Sequence, residues 1–452
     1  MVATDAPGWS PASWQAREAL QQPEYPDPDA LEAVLAELAT LPPLVTSWEV
    51  ETLRAQLAEA ACGRRFLLQG GDCAERFAEC RADVLTNRLK ILLKMSVVLI
   101  YGLKKPVVRV GRFAGQYAKP RSAPMETRDG VTLPSYRGDN INAPAFSAAA
   151  RTPDPRRLLQ AYSYSAMTLN FVRALADGGF ADLHHPEYWN LDFAEQSPMI
   201  GEYLAIITAI NEALHFAETV SEGPILGLGQ VDFFTSHEAL HLQYEQALTR
   251  TIPQRLGLYN LSTHFPWIGK RTADLEGAHV EYARGIRNPI GLKVGPGLPP
   301  SDLARLVNVL DPENEPGRLT LITRFGAERI EADLPPLLRA VEATGKTVLW
   351  CCDPMHGNTE VTETGLKTRR FDNILAELEQ AFEIHAAMGT ILGGVHFELT
   401  GEDVTECMGG ARDLTESDLE RAYHTLVDPR LNAEQALEMA LRIVRKYKRM
   451  ER

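Results

Sequence analysis

The chain has 452 residues, a formal charge of −14 and six cysteines. A chain this acidic has little global attraction for nucleic acid, whose binding is dominated by phosphate neutralisation. Six cysteines at this length do not make a disulfide scaffold, and no apolar run reaches the roughly 20 residues that cross a bilayer.

In chain order, the first residues, Met1-Val2-Ala3-Thr4-Asp5, carry neither a basic nor an apolar signal region, so a soluble cytoplasmic setting is the default. Residues 1–62 are rich in Pro and Trp, hold a helical pattern at Asp29–Thr40, and read as an extension for oligomer contacts or regulation. Residues 63–452 then repeat one theme, a short apolar strand that ends on a reactive polar residue. Eight strands are predicted near 66–70, 106–111, 224–229, 257–263, 290–294, 318–323, 347–351 and 393–398. Helical patterns lie between most of them. Thr235 with Glu238 reads as a capping box, and 301–311 reads as a helix with Ser301 as its N-cap. In 371–388, Phe371, Leu375, Leu378 and Phe382 share one face. The span 113–223 exceeds what a minimal unit needs. Its first part is loop-like, and helical patterns follow at 155–178 and 198–219. Eight alternating units predict an α/β (β/α)8 TIM barrel with an N-terminal extension and a helical insertion before the third strand. An open doubly wound sheet would gather its polar groups at one switch point, whereas here they end at least six strands.

Those strand ends collect two kinds of group. Cys73 follows a Gly70-Gly71-Asp72 turn, His356 lies in Cys351-Cys352-Asp353-Pro354-Met355-His356, and Glu398 ends the last strand. Thiolate, imidazole and carboxylate together suit a borderline divalent ion such as Mn, Fe, Co or Zn. Spacing alone leaves a packed cysteine and a turn histidine equally open. Cys351 and Cys352 point to opposite faces of a strand and read as core. The second kind is cationic: Arg112, Lys119, Arg121, Lys270, Arg271, Lys293 and Arg324. Arg grips phosphate or carboxylate with a planar fork, and Lys acts as a point charge. Arg137 and Asp139 read as a local ion pair. His264 reads as ending the fourth strand, and His396 shares a strand face with Glu398. His237, His241 and His385 are placed on loops or helices as solvated or packed residues, like His184, His185 and His215.

Several longer segments carry a resemblance. Leu68-Gln69-Gly70-Gly71-Asp72-Cys73-Ala74-Glu75, Ala114-Gly115-Gln116-Tyr117-Ala118-Lys119-Pro120-Arg121-Ser122, Ser135-Tyr136-Arg137-Gly138-Asp139 and Cys352-Asp353-Pro354-Met355-His356-Gly357-Asn358-Thr359 resemble type II 3-deoxy-D-arabino-heptulosonate 7-phosphate (DAHP) synthases. Thr400-Gly401-Glu402-Asp403-Val404-Thr405-Glu406-Cys407 and Asp428-Pro429-Arg430-Leu431-Asn432 match as well, so the resemblance covers nearly the whole chain. It implies a (β/α)8 barrel that condenses phosphoenolpyruvate with erythrose 4-phosphate, the first step of the shikimate route to aromatic compounds. It implies a divalent metal, Mn2+ foremost with Co2+, Fe2+ or Zn2+ as alternatives, on Cys73, His356, Glu398 and Asp428. From the residues alone, Asp428 before Pro429 reads as a helix N-cap. The resemblance further implies phosphoenolpyruvate on Arg112, Arg271, Lys293 and Arg324, and erythrose 4-phosphate on Lys119, Arg121 and Ser122. Lys293 is the expected proton-handling residue, because neighbouring cations should lower its pKa. Members of that family commonly carry an acidic residue where Lys270 stands in Trp267-Ile268-Gly269-Lys270-Arg271-Thr272; here a further cation joins the phosphoenolpyruvate group. That departure keeps an aminoshikimate-type aldehyde as an alternative substrate. A catalytically silent regulatory paralogue is a separate alternative role, against which the intact metal and phosphoenolpyruvate positions argue. A homo-oligomer (dimer or tetramer) and aromatic amino-acid effectors are the partners implied, with no nucleic acid and no membrane.

Overall fold

The computed structural model describes residues 8–180, 199–221, 232–253 and 255–450. Eight parallel strands close a barrel in sequence order: β1 Phe66–Gly71, β2 Val107–Arg112, β3 Phe234–Glu238, β4 Phe265–Ile268, β5 Ile290–Val294, β6 Leu319–Thr323, β7 Leu349–Cys352 and β8 Leu392–Glu398. Closure is between β1 and its two neighbours, with Gly71 opposite both Arg112 and Glu398. Alternation along each strand therefore sorts the interior into layers. Leu67, Val108, Phe265 and Leu349 are apolar and lie near the strand starts. Gln69 and His396 lie above them, and Arg112, Lys293 and Glu398 stand at the C-terminal ends.

Two predicted strands are corrected. Residues 224–229 lie outside the described residues, and the third strand is Phe234–Glu238. Thr235 and Glu238 are therefore strand residues and not a capping box. In 257–263, Leu258–Asn260 pairs antiparallel with Thr249–Thr251 outside the barrel, and the fourth strand is Phe265–Ile268. His237 accordingly sits on a strand, where its Nε2 lies 2.8 Å from Glu245 Oε1. His264 precedes β4 rather than ending it, and its Nδ1 accepts from the Thr235 amide at 2.9 Å.

The long helices are α1 Pro28–Thr40, α2 Ser47–Ala61, α3 Ala82–Leu103, α4 Arg156–Asp177, α5 Ile200–Ser221, α6 Pro300–Leu310, α7 Ile330–Glu342, α8 Phe371–Ala387 and α9 Ala433–Met450. Both α4 and α5 precede β3. Asp27 caps α1 by accepting from the Ala30 amide at 2.9 Å. Ser301 does not cap α6, whose first turn is opened by Pro299 and Pro300 without a side-chain cap. Asp428 caps no helix either: α9 begins at Ala433, and Asn432 Oδ1 accepts from the Gln435 amide at 2.9 Å.

The extension is bound to the barrel at both ends. A reciprocal Thr46–Glu49 capping box opens α2, which presents Leu53, Leu57 and Ala60 to the same apolar cluster as Leu67, Val108, Phe265 and Leu349. That closes the barrel at the strand starts. The approach is tight, since a Cβ on Gly393 would lie 2.6 Å from the Ala60 carbonyl oxygen. Further along, Trp9 Nε1 donates to the Glu281 carbonyl at 2.8 Å and Trp14 Nε1 to Gln246 Oε1 at 2.9 Å. Gln21 reaches the opposite rim, where its Oε1 accepts from the Arg121 amide at 3.0 Å.

Candidate active site at the barrel mouth

A cavity of about 340 Å³ opens at the C-terminal strand ends and is lined by Arg112, Lys119, Lys270, Arg271, Lys293 and Arg324 on its cationic side. Cys73, His356 and Asp428 face it from the other side. Glu398 is fully buried immediately beneath.

Cys73 Sγ and one carboxylate oxygen each of Glu398 and Asp428 lie within 4.8 Å of one another. Donors about 2.0–2.3 Å from a common centre have that spread. His356 Nε2 stands 3.0 Å from Glu398 Oε1, and its Nδ1 lies 2.7 Å from Asp353 Oδ2. Asp353 thus orients the ring and leaves Nε2 toward the cluster, as an outer-shell carboxylate does for a metal-bound histidine. Cys73, Glu398 and Asp428 therefore fit a borderline divalent ion in both geometry and donor chemistry, and His356 stands beside them against Glu398, outside that close group. Burial, then the charge of Glu398, pushes the Cys73 thiol above its ordinary range, while Lys119 opposes. Burial also works against ionised Glu398, but His356, Lys119, Arg369 and Arg112 prevail and hold its carboxyl well below the usual range.

The positive groups divide into those already paired and those open to the cavity. Arg112 is buried; it donates to Glu398 Oε1 at 3.0 Å, contacts His396 Nε2 at 2.6 Å, and lies 5.3 Å from the Trp267 ring centroid. Lys293 Nζ pairs with Asp353, and burial, with help from Arg112, brings its pKa down to about 8 against the opposing pull of Asp353. Arg324 donates to the His356 carbonyl. Arg271 donates to Ser122 Oγ at 2.8 Å, joining the β4 end to the loop after β2. Burial lowers the Lys270 pKa, and Arg324, Arg329 and Arg271 lower it further. Arg121 and Ser122 lie just outside the cavity lining, held through Gln21 and Arg271. Lys119 Nζ sits among the acidic donors, 2.6 Å from Cys73 Sγ and 2.8 Å from Asp428 Oδ2.

Other residues at this mouth were not assigned from sequence. Lys367 Nζ donates to Asp428 Oδ1 at 2.8 Å, and Arg369 NH1 lies 2.8 Å from Glu398 Oε2. Both stand on one hairpin strand two residues apart, and that spacing was the available signal. Glu238 ends β3 in the cavity wall, where burial raises its pKa against Lys119 and Lys293. His396 Nδ1 contacts Gln69 Oε1 at 2.7 Å, which places it among the barrel-lining residues. The expected Arg137–Asp139 pair does not form. Arg137 donates to the carbonyls of Gln21 and Gln22, and Asp139 accepts from the Phe77 amide at 2.7 Å and pairs with Arg157 at 3.4 Å.

The loop bearing Lys119 is set by close backbone contact. Gly138 has φ +115°, and a Cβ there would lie 1.9 Å from the Tyr117 carbonyl oxygen. The Lys119 amide donates to the Arg137 carbonyl at 2.8 Å beside it. Gly138→Ala is expected to cost about 1–3 kcal/mol of stability and to disturb the Lys119 loop. Urea denaturation with steady-state kinetics checks this: a variant with wild-type midpoint and KM values would show that the contact is tolerated.

A closed parallel barrel with acids, a thiol, an imidazole and cations gathered at its C-terminal face has the layout of a (β/α)8-barrel enzyme. The family model for the class-II DAHP synthetase family matches residues 9–444. The chain belongs to that family. It is 51% identical over 436 residues to a phospho-2-dehydro-3-deoxyheptonate aldolase of Streptomyces coelicolor, covering 96% of this chain and 97% of that protein. A Neurospora crassa protein of the same name is 48% identical over 460 residues, covering 98% of this chain and 95% of its own length. The Mycolicibacterium smegmatis phospho-2-dehydro-3-deoxyheptonate aldolase AroG is 47% identical over 430 residues, covering 94% and 92%.

Proposed function

We propose that this chain condenses phosphoenolpyruvate with D-erythrose 4-phosphate and water to give DAHP and inorganic phosphate, with a bound divalent ion. The observation that carries the reading is one shared cavity with a metal-competent donor set on one wall and five cationic side chains, Arg112, Lys270, Arg271, Lys293 and Arg324, on the other. Phosphoenolpyruvate carries two anionic groups and matches that wall. Fixing it there orients its C3 and removes much of the entropic barrier to a bimolecular attack, an effect of several kcal/mol. Lys119, Arg121 and Ser122 hold the phosphate of the sugar on the facing rim. Held by Cys73, His356, Glu398 and Asp428, a divalent ion would supply Lewis acidity toward the aldehyde. C3 then bonds to the aldehyde carbon, water adds at C2, and phosphate leaves by C–O cleavage. Lys293, paired with Asp353 and tuned toward neutrality, moves a proton at the aldehyde oxygen.

Phosphate release with both substrates and Mn2+, followed by mass analysis of the product, tests the reaction. No release with active-site residues intact would restore the silent-paralogue reading, and preference for an amino or imino aldehyde would redirect the substrate assignment. Lys293→Met is expected to lower kcat about 10²–10⁴-fold, the range of a lost acid–base group. Lys293 keeps its proton below about pH 8 and releases it above, so a step needing its ammonium form falls as pH rises through that value. The Lys293→Met variant should lose this alkaline limb. Persistence of the limb would assign it to another group.

A further inference from the structure

We propose that the Lys119 ammonium and the divalent cation are alternative occupants of one cage, so that loading the metal moves Lys119 out into the cavity that receives the sugar phosphate. This rests on the metal site proposed above. Lys119 Nζ lies 2.6 Å from Cys73 Sγ, 2.8 Å from Asp428 Oδ2 and 3.4 Å from Glu398 Oε1. These are three of the four proposed ligands. The other cations approach the acids differently. Arg112 and Arg369 hold Glu398, and Lys367 holds the outer oxygen of Asp428. Among the described residues, Lys119 alone contacts all three acidic donors.

The three donors lie within 4.8 Å of one another, so an ion about 2.0–2.3 Å from each would stand at or beside the point where Nζ stands. Two cations at that separation repel strongly, and one must leave. Buried acids need a counter-charge at every moment, because an unpaired buried charge is costly. A lysine suits an exchange: its charge rides on a flexible four-carbon stem, whereas a guanidinium is held by its planar fork. The backbone need not move. The Lys119 amide is tied to the Arg137 carbonyl, and Gly138 packs against Tyr117, so the side chain swings from a fixed base. The space open to it is the cavity it already lines, with Arg121 and Ser122 next in sequence. Metal loading then creates part of the phosphate site, and by reciprocity a phosphoryl anion held by Lys119 should tighten the metal.

Two measurements on the full chain test this. The first is amine acetylation of wild-type protein, followed at Lys119 by mass spectrometry with and without saturating Mn2+. Lys119 is expected to react several-fold faster with the metal; equal or slower reaction overturns the exchange. The second is Mn2+ titration calorimetry of variants. Lys119→Met is expected to bind Mn2+ about tenfold or more tighter, the effect of removing a charge-assisted competitor, and Lys367→Met less than threefold tighter. Equal gains in the two variants would reveal only a general field effect and overturn the proposal. The titration also separates this inference from its premise. Mn2+ binding that is unaltered in Cys73→Ser would take Cys73 out of the shared cage and overturn the premise, whereas Cys73-dependent binding with no gain in Lys119→Met would remove the exchange alone.

Discussion

Cys73→Ser is expected to weaken metal binding by about 100-fold or more and to lower turnover with it, since even outer-shell changes at such sites cost 10–100-fold. Cys73 is 1% exposed and its sulfur lies within 4.8 Å of Glu398 and Asp428, so burial first and then their negative charge make a bare thiolate unfavourable. A divalent cation held there would reverse that balance and stabilise the thiolate as a ligand. A serine hydroxyl in the same space is a harder and far more weakly ionised donor. The two side chains are similar in volume, so the barrel should be unaffected. Metal content after dialysis and kcat at saturating Mn2+ give the answer. Wild-type values for both would take Cys73 off the ligand set and leave the two carboxylates and His356 to explain any metal.

The second large effect is on stability. Arg430→Met is expected to destabilise the fold by about 3–5 kcal/mol, the cost of breaking a buried ion pair from one side. Its guanidinium, with the side chain 5% exposed, spans Asp72 at 2.6 Å and Glu406 at 2.8 Å. Its Nε and its backbone amide both reach Glu406 Oε2, at 3.0 and 2.8 Å. Removing it strips Glu406 of its guanidinium partner and leaves Asp72 with Arg88 alone. Arg430→Lys should recover part of the loss, because it keeps the charge but not the fork. Urea midpoints at constant m-value measure both; a change under about 0.5 kcal/mol in the Met variant would put the network in the class of near-neutral surface substitutions. Asp72 precedes Cys73 and Arg430 follows Asp428 by two residues, so the same clamp joins two segments of the proposed metal site.

Six barrel strands were legible because an apolar run ends on a charged residue in each. The other two were misread for physical reasons. In β3, Phe234-Thr235-Ser236-His237-Glu238 is mostly polar because its inward side chains meet Gln69 and the cavity, so it lacks the apolar signature. In β4, Phe265-Pro266-Trp267-Ile268 carries a proline that normally argues against an interior strand. The nearby Leu258, Tyr259 and Leu261 gave a stronger apolar signal but belong to a hairpin and its exit. Within the site, Cys73, His356 and Glu398 stood out because a thiol, an imidazole and a carboxylate end or follow strands. Asp428 did not, since Asp-Pro is a common turn and the loop that brings it back spans no strand. Lys367 and Arg369 were hidden in an excursion after β7 whose destination only the folded chain displays.

The α2 stopper has a practical consequence for anyone trimming this enzyme. Deleting the first 62 residues would do more than shorten a tail: it would unseal the floor of the barrel and wet Leu67, Val108 and Leu349 from below. With that floor in place, the described residues leave the cavity to fill and empty at its upper mouth, past the ring of cations.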